Sequence, residues 1–71
     1  MNAEQREYVE SLQDATRKEF GVACNEDECL AWLEADATID QAVGWINHGA
    51  GPGDMLGCWT HDPEEAFGED R

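Results

Sequence analysis

The sequence predicts an all-α protein: a compact three-helix bundle followed by a glycine-rich joint and an acidic C-terminal tail. Three observations predict this class. Apolar residues recur every three to four positions in three separate segments, which is the spacing of an amphipathic helix. Each segment is bounded by residues that commonly start or end helices. No segment shows the alternation of a half-buried strand, and a chain of 71 residues has room for one domain.

The first predicted helix covers residues 3–20. The residues of its apolar face recur at roughly helical spacing: Tyr8, Val9, Leu12, Ala15 and Phe20. Gly21 follows the last of them, and glycine adopts the left-handed backbone that ends many helices at little cost. We therefore expect the helix to end at residue 20.

The second predicted helix begins after Asn25 and continues to about residue 35. Asn25 can accept a hydrogen bond from a free amide of the first turn, and Glu28 can reach back to it, as in a capping box. The positive end of a helix also favours the three carboxylates at this start. The apolar residues of the segment follow at once: Cys29, Leu30, Trp32 and Leu33.

The third predicted helix begins with a capping box of Thr38 and Gln41, and Gly49 is its predicted stop. One apolar stripe runs along it: Ile39, Ala42, Val43 and Ile46. Residues 1–48 are therefore the predicted three-helix domain, 49–57 a glycine-rich turn or linker, and 58–71 an acidic tail. Asp62 and Pro63 favour one short helical turn in that tail, which either extends into solvent or docks on the helices.

Charge is the strongest compositional feature of the chain. Seventeen acidic residues outnumber four basic ones, giving a formal net charge of −13 at pH 7. Such a chain repels nucleic-acid phosphates and anionic membranes, so direct binding to either is disfavoured and the expected partner is a basic protein surface. A general adaptation for solubility, as in a halophilic proteome, explains the same charge.

The expected location is cytoplasmic. The sequence has no run of 18 apolar residues, which a transmembrane helix needs. Its first residues lack the basic and apolar regions of a signal peptide. Three cysteines cannot all pair within one chain, and a reducing compartment would keep them as thiols.

Three stretches between residues 11 and 48 carry a family resemblance: Phe20-Gly21-Val22, residues 29–33 and residues 39–46. Together they resemble a ubiquitin-associated (UBA) domain, which has a Met-Gly-Phe-type loop and an Ala-Val-x-Trp-Leu-like third helix. The N-terminal domain of elongation factor Ts is similar. The resemblance implies a three-helix fold that binds a protein through Phe20, Gly21 and Val22, with the exposed end of the third helix near Trp45. The alternative is that Phe20 and Val22 belong to the core.

Four residues have the side chains that zinc prefers: Cys24, Cys29, Cys58 and His61. A zinc ion would stabilise a small domain and dock the tail on the helices. Neither Cys24 with Cys29 nor Cys58 with His61 forms a Cys-x2-Cys knuckle, and Cys29 falls on the apolar face of its helix. The expectation is therefore no cofactor, with structural zinc or a Cys24–Cys58 disulfide as the alternatives.

The sequence has no pattern that indicates catalysis. Residues 26–28 are consecutive, so their carboxylates point in different directions around a helix start. The glycine run of residues 49–53 lacks the Lys and the Ser or Thr of a phosphate-binding loop. Cys58 and His61 have no evident third group to orient them. We therefore expect that the protein is not an enzyme.

Three functional hypotheses remain. The first is an adaptor-like module that docks on a basic protein surface, with Trp45 or Trp59 as an exposed anchor. The second is an inhibitor of phage or mobile-element type that imitates nucleic acid and blocks a DNA- or RNA-binding protein. Its acidic face would consist of Glu4, Glu7, Glu10 and Asp14, which a plain solvated helix face also explains. The third is a precursor peptide with a helical leader, processed at residues 49–51.

Overall fold

Five helices connected by short turns make up the computed structural model, which describes residues 2–67. They are α1 (Ala3–Phe20), α2 (Glu26–Glu34), α3 (Ile39–Asn47), α4 (Pro52–Leu56) and α5 (Pro63–Phe67). No β-strand occurs within these residues, so the predicted all-α class is confirmed. The Cα radius of gyration is 11.8 Å, close to the ~11 Å expected of a folded chain of this length. None of the described helices is long and apolar enough to cross a membrane.

The predicted bounds of the first helix are confirmed. Asn2 and Gln5 form a capping box at its start, with two reciprocal hydrogen bonds of 2.9 and 2.8 Å. Gly21 ends it with a φ of 86° and donates its N–H to the carbonyl of Arg17. The face turned toward the core is buried at three positions: Val9, Leu12 and Thr16.

Helix α2 begins at the predicted cap, where Asn25 Oδ1 accepts the backbone N–H of Glu28 at 2.8 Å. Its end depends on Asp36, a non-glycine residue with a φ of 63°. The N–H groups of Asp36 and Ala37 donate to the carbonyls of Leu33 and Trp32 at 2.9 and 3.1 Å. These two bonds form a Schellman motif, in which a left-handed residue satisfies the last carbonyls of the helix.

Helix α3 has both predicted boundaries. Thr38 and Gln41 make the reciprocal bonds of a capping box, each 3.1 Å long. Gly49 has a φ of 80°, and its N–H donates to Ile46 while that of Ala50 donates to Trp45, both at 2.9 Å. A second Schellman motif therefore ends this helix at the glycine expected from the sequence.

The core lies where α1 meets α2 and α3. Its largest fully buried side chains are Trp32, Trp45, Leu12 and Met55. Two polar contacts fix the packing around it. The Tyr8 hydroxyl donates to the carbonyl of Ala37 at 2.7 Å. The hydroxyl of Thr16, itself buried, accepts the N–H of Cys24 at 2.9 Å and so holds the α1–α2 loop against α1.

Residues 49–57, predicted to be a turn or linker, contain helix α4. Pro52 occupies its first turn, and Asp54 Oδ2 accepts the N–H of Gly51 at 2.9 Å. A proline at this position is already in a helical conformation. Met55 is fully buried, so burial of one side chain offsets the weak helix preference of the glycines.

The tail residues up to 67 pack against α3. Asp62 caps α5 by accepting the N–H of Glu64 at 3.0 Å, which confirms the predicted short helical turn. The indole N–H of Trp45 donates to the carbonyl of His61 at 3.0 Å. Pro63 is buried and sits beside Gly44. Both α4 and α5 therefore pack on α3, which also contacts α1. Residues 68–71 of the predicted tail lie outside the described part.

Candidate binding surfaces

The most exposed large apolar side chains near α4 are Leu56 and Trp59, which are 58% and 80% exposed. We call these two residues the Trp59 patch. After α4 the chain turns, with the N–H of Cys58 donating to the carbonyl of Met55 at 3.2 Å. Met55 occupies the core, and its neighbour Leu56 is left in solvent. Three peptide units separate Leu56 from Trp59, so their Cα atoms lie at most about 11 Å apart.

An acidic section of chain surrounds the Trp59 patch in sequence. Residues 19–70 contain thirteen Asp or Glu residues and no Lys or Arg. On α4, α5 and the turn between them, the exposed carboxylates are Asp54, Asp62, Glu64 and Glu65. An exposed tryptophan beside carboxylates combines a large apolar contact area with attraction for cations.

Of the two tryptophans considered as the anchor, Trp59 is exposed and Trp45 is buried. Only 2% of Trp45 is accessible, and its N–H is bonded to His61. Trp45 is therefore not an exposed anchor. Asn47 and His48 at the end of α3 are exposed, so a partner contact at that end of the helix stays a prediction. The physical reason for the burial of Trp45 is that α4, α5 and the turn between them pack on α3, and the three-helix prediction does not include these contacts.

The predicted loop site has a mixed placement. Phe20 is half-buried, and Gly21 is exposed at the end of α1. Val22 is 70% exposed, so it lies outside the core and offers an isolated apolar contact. The alternative of a core role is therefore wrong for Val22. Because Phe20 is half-buried, its burial does not decide between a core role and a partner contact.

All four residues of the predicted acidic face are exposed on α1: Glu4, Glu7, Glu10 and Asp14. At 1.5 Å of rise per residue the row is about 15 Å long. Asp14 is paired with Lys18 at 3.4 Å. Helix α1 also carries Arg6 and Arg17, so its five acidic residues face three basic ones. The row exists, and the helix that bears it has a net charge of only −2, five acidic residues against three basic ones.

The four predicted zinc ligands are not brought together. All three cysteines are free, and no group of three or more His, Cys, Asp or Glu side chains in residues 2–67 could hold a metal ion. Cys24 and Cys29 lie at the start of α2, with Cys29 Sγ 3.9 Å from the carbonyl oxygen of Cys24. Cys58 and His61 lie in the segment between α4 and α5, which packs on α3. The hypothesis of a four-ligand zinc site is therefore wrong for this structure.

Burial governs the chemistry of the thiols at the start of α2. It raises the pKa of Cys29 to about 12, and the neighbouring Cys24 thiol adds to the effect. Burial also raises the pKa of Cys24, with the carboxylate of Glu28 as the second cause. Since the thiolate is the reactive form, both side chains act as small apolar residues at neutral pH.

We expect the pKa of Tyr8 to lie well above that of an ordinary tyrosine. Burial, followed by the nearby Cys29 and Asp36, raises its pKa from 10.0 to about 12. The neutral phenol is thus favoured in the folded state, and this stabilisation is complete below the ordinary pKa and lost as the pH rises toward 12. Tyr8 is the only tyrosine, so tyrosinate absorbance measures it directly. A midpoint near 10 in native buffer, the same as in denaturant, would contradict the buried Tyr8 environment.

Sequence patterns missed two of these features. Leu56 was not singled out, although the adjacent pair Met55 and Leu56 indicates that only one of them can face a core. Asp36 was also missed, because few non-glycine residues adopt a left-handed backbone.

Comparisons of the chain with protein-family models, curated proteins and solved structures find no match in any of the three. The candidate surfaces therefore rest on geometry and chemistry.

Proposed function

We propose that this protein is a non-catalytic, acidic binding module that docks on a basic surface of a partner protein through the Trp59 patch. The observation that carries the proposal is the 80% exposure of Trp59, within a section that contains no Lys or Arg. Helices α1, α2 and α3 form the UBA-like body of the module, and α4 and α5 present the contact surface.

Electrostatic attraction supports the first step of binding. A net charge of −13 produces an electrostatic field that attracts cationic surfaces and repels nucleic acids and anionic membranes. This field extends about 8 Å at physiological ionic strength. It accelerates encounter and orients the partner, and its contribution falls as salt is added.

Apolar burial supports the second step. A tryptophan buries about 150–250 Å² when it is enclosed, so docking of Trp59 removes a large apolar area from water. Tryptophan is among the residues that most often dominate binding energy at interfaces. Leu56 is a second exposed apolar side chain three residues before Trp59, and exposed carboxylates flank the two residues in sequence on α4 and α5.

Replacing Trp59 with alanine is expected to weaken partner binding about tenfold or more. The partner is first captured on the immobilised protein and identified, and its purified form is then titrated calorimetrically at low and moderate salt. Binding of the wild-type protein should weaken with salt because the encounter is electrostatic.

Val22→Ala is the matched control, since Val22 is also exposed but lies between α1 and α2. It should bind as the wild type does. Equal affinity of Trp59→Ala and wild type would reject the Trp59 patch. A loss confined to Val22→Ala would instead favour the loop site implied by the UBA resemblance.

Imitation of nucleic acid is the second candidate, and the exposed row of four carboxylates on α1 favours it. In that case the partner is a DNA- or RNA-binding protein, and DNA competes for the complex. Replacing Glu10 and Asp14 with their amides would then weaken binding clearly, while Trp59→Ala would have a small effect. The module hypothesis expects a small effect from the same change.

A further inference from the structure

A groove lies between the N-terminal half of α1 and the region where α2 ends and α3 begins. Its volume is about 290 Å³. It is lined by Glu4, Glu7, Tyr8, Ser11, Leu33 and Ile39. We call it the α1 groove. It is separate from the Trp59 patch, because none of its lining residues belongs to α4, α5 or the turn between them.

The apolar part of the α1 groove is fixed in place. Leu33 and Ile39 are half-buried, and Ile39 packs against the core. The Tyr8 ring is held by its hydroxyl, which donates to Ala37 at 2.7 Å. A groove that is already formed binds without the cost of ordering its own side chains.

Two carboxylates on the rim of the α1 groove, those of Glu4 and Glu7, form no ion pair with any of the described residues. Glu4 and Glu7 are exposed, and positions three apart on a helix are neighbours on one face. Within residues 2–67 the one ion pair joins Lys18 and Asp14, at the other end of α1. The groove thus combines an aromatic ring, an apolar wall and unpaired negative charge.

We propose that the α1 groove binds an arginine side chain of the basic partner. The guanidinium would lie between the carboxylates of Glu4 and Glu7, with its planar face and aliphatic stem against Tyr8, Leu33 and Ile39. Arginine fits this chemistry better than lysine, because its guanidinium pairs with carboxylates through two bonds and stacks on aromatic rings. The identity of the partner rests on the proposed function, since it assumes a basic protein.

The test uses acetyl-arginine amide as the probe and amide chemical shifts of the full chain as the readout. At low salt we expect saturable shifts at the lining residues of the α1 groove. The neutral isostere acetyl-citrulline amide should produce none. Glu4→Gln with Glu7→Gln should weaken probe binding about fivefold or more, because both charge-assisted contacts are lost.

Glu10→Gln with Asp14→Asn is the matched control, since it removes two charges from the same helix outside the groove. It should change the affinity by less than about twofold, the effect of long-range charge alone. Equal losses in the two double variants, or shifts spread over all acidic positions, would overturn the proposal. Trp59→Ala should bind the probe normally, so failure of the groove and failure of the Trp59 patch are distinguished.

Discussion

Replacing Trp45 with alanine is expected to lower the free energy of unfolding by about 3–5 kcal/mol. The side chain is 2% exposed and is among the largest in the core. Its indole N–H also connects α3 to the tail by donating to the carbonyl of His61. Loss of the side chain therefore leaves a cavity and also removes a contact that holds the tail on α3. A domain of this length has a total stability of about 4–11 kcal/mol. Urea unfolding followed by circular dichroism should therefore show a midpoint at a clearly lower urea concentration than that of the wild type.

Two phenylalanine variants separate packing from hydrogen bonding. Trp45→Phe keeps most of the apolar contact and removes the donor to His61, which costs about 1 kcal/mol beyond the lost area. Trp32→Phe removes an indole N–H that is buried with no partner among the described residues. Because an unsatisfied buried donor is itself destabilising, this second variant should lose less stability than the first. The reverse order would contradict the Trp45–His61 bond.

Gly44→Ala is expected to destabilise the protein by about 1–2 kcal/mol, the cost of forcing an extra methyl group into a packed contact. In the middle of an ordinary helix the same change stabilises by about 1 kcal/mol, so the sign is diagnostic. An added Cβ would lie 2.5 Å from Cγ of Pro63. That ring is rigid and buried, so α5 must move away from α3.

Gly53→Ala in α4 is the control for this experiment. A Cβ at Gly53 meets no atom within 4 Å, so the substitution should be neutral or stabilising by up to about 1 kcal/mol. Hydrogen exchange of the Trp45 indole N–H provides a second readout, because displacement of α5 in Gly44→Ala should expose it. A Gly44→Ala protein as stable as Gly53→Ala would show that α5 does not pack on α3 in solution.

All the boundaries of α1, α2 and α3 except the end of α2 followed from short stretches of sequence. Asn25, Thr38 and Gly49 each act on backbone groups within a few residues, so their effect survives in any tertiary context. Asp36 shows the limit of this reasoning. It takes the left-handed position that glycine usually occupies. This conformation depends on the tight joint that forms when α2 and α3 both pack on α1.

The binding surfaces could be predicted only in part. The exposed acidic row of α1 followed from helical spacing, and so did the total charge. Which tryptophan is exposed did not follow, because no local pattern shows that the tail packs on α3 and covers Trp45. The α1 groove could not be predicted from the sequence either, because Glu4 and Leu33 belong to helices that meet only in the folded chain.

The sequence by itself determined the helical class, the negative charge, both ends of α1 and α3 and the start of α2, because capping and backbone preferences act over a few residues. The tertiary structure alone decided that Met55 and Pro63 are buried, that α4 and α5 cover Trp45, and that Trp59 faces solvent. Burial depends on contacts between segments far apart in the chain. The free energy of these contacts is gained only when the segments pack and their apolar surfaces leave water. A local sequence pattern therefore does not predict it.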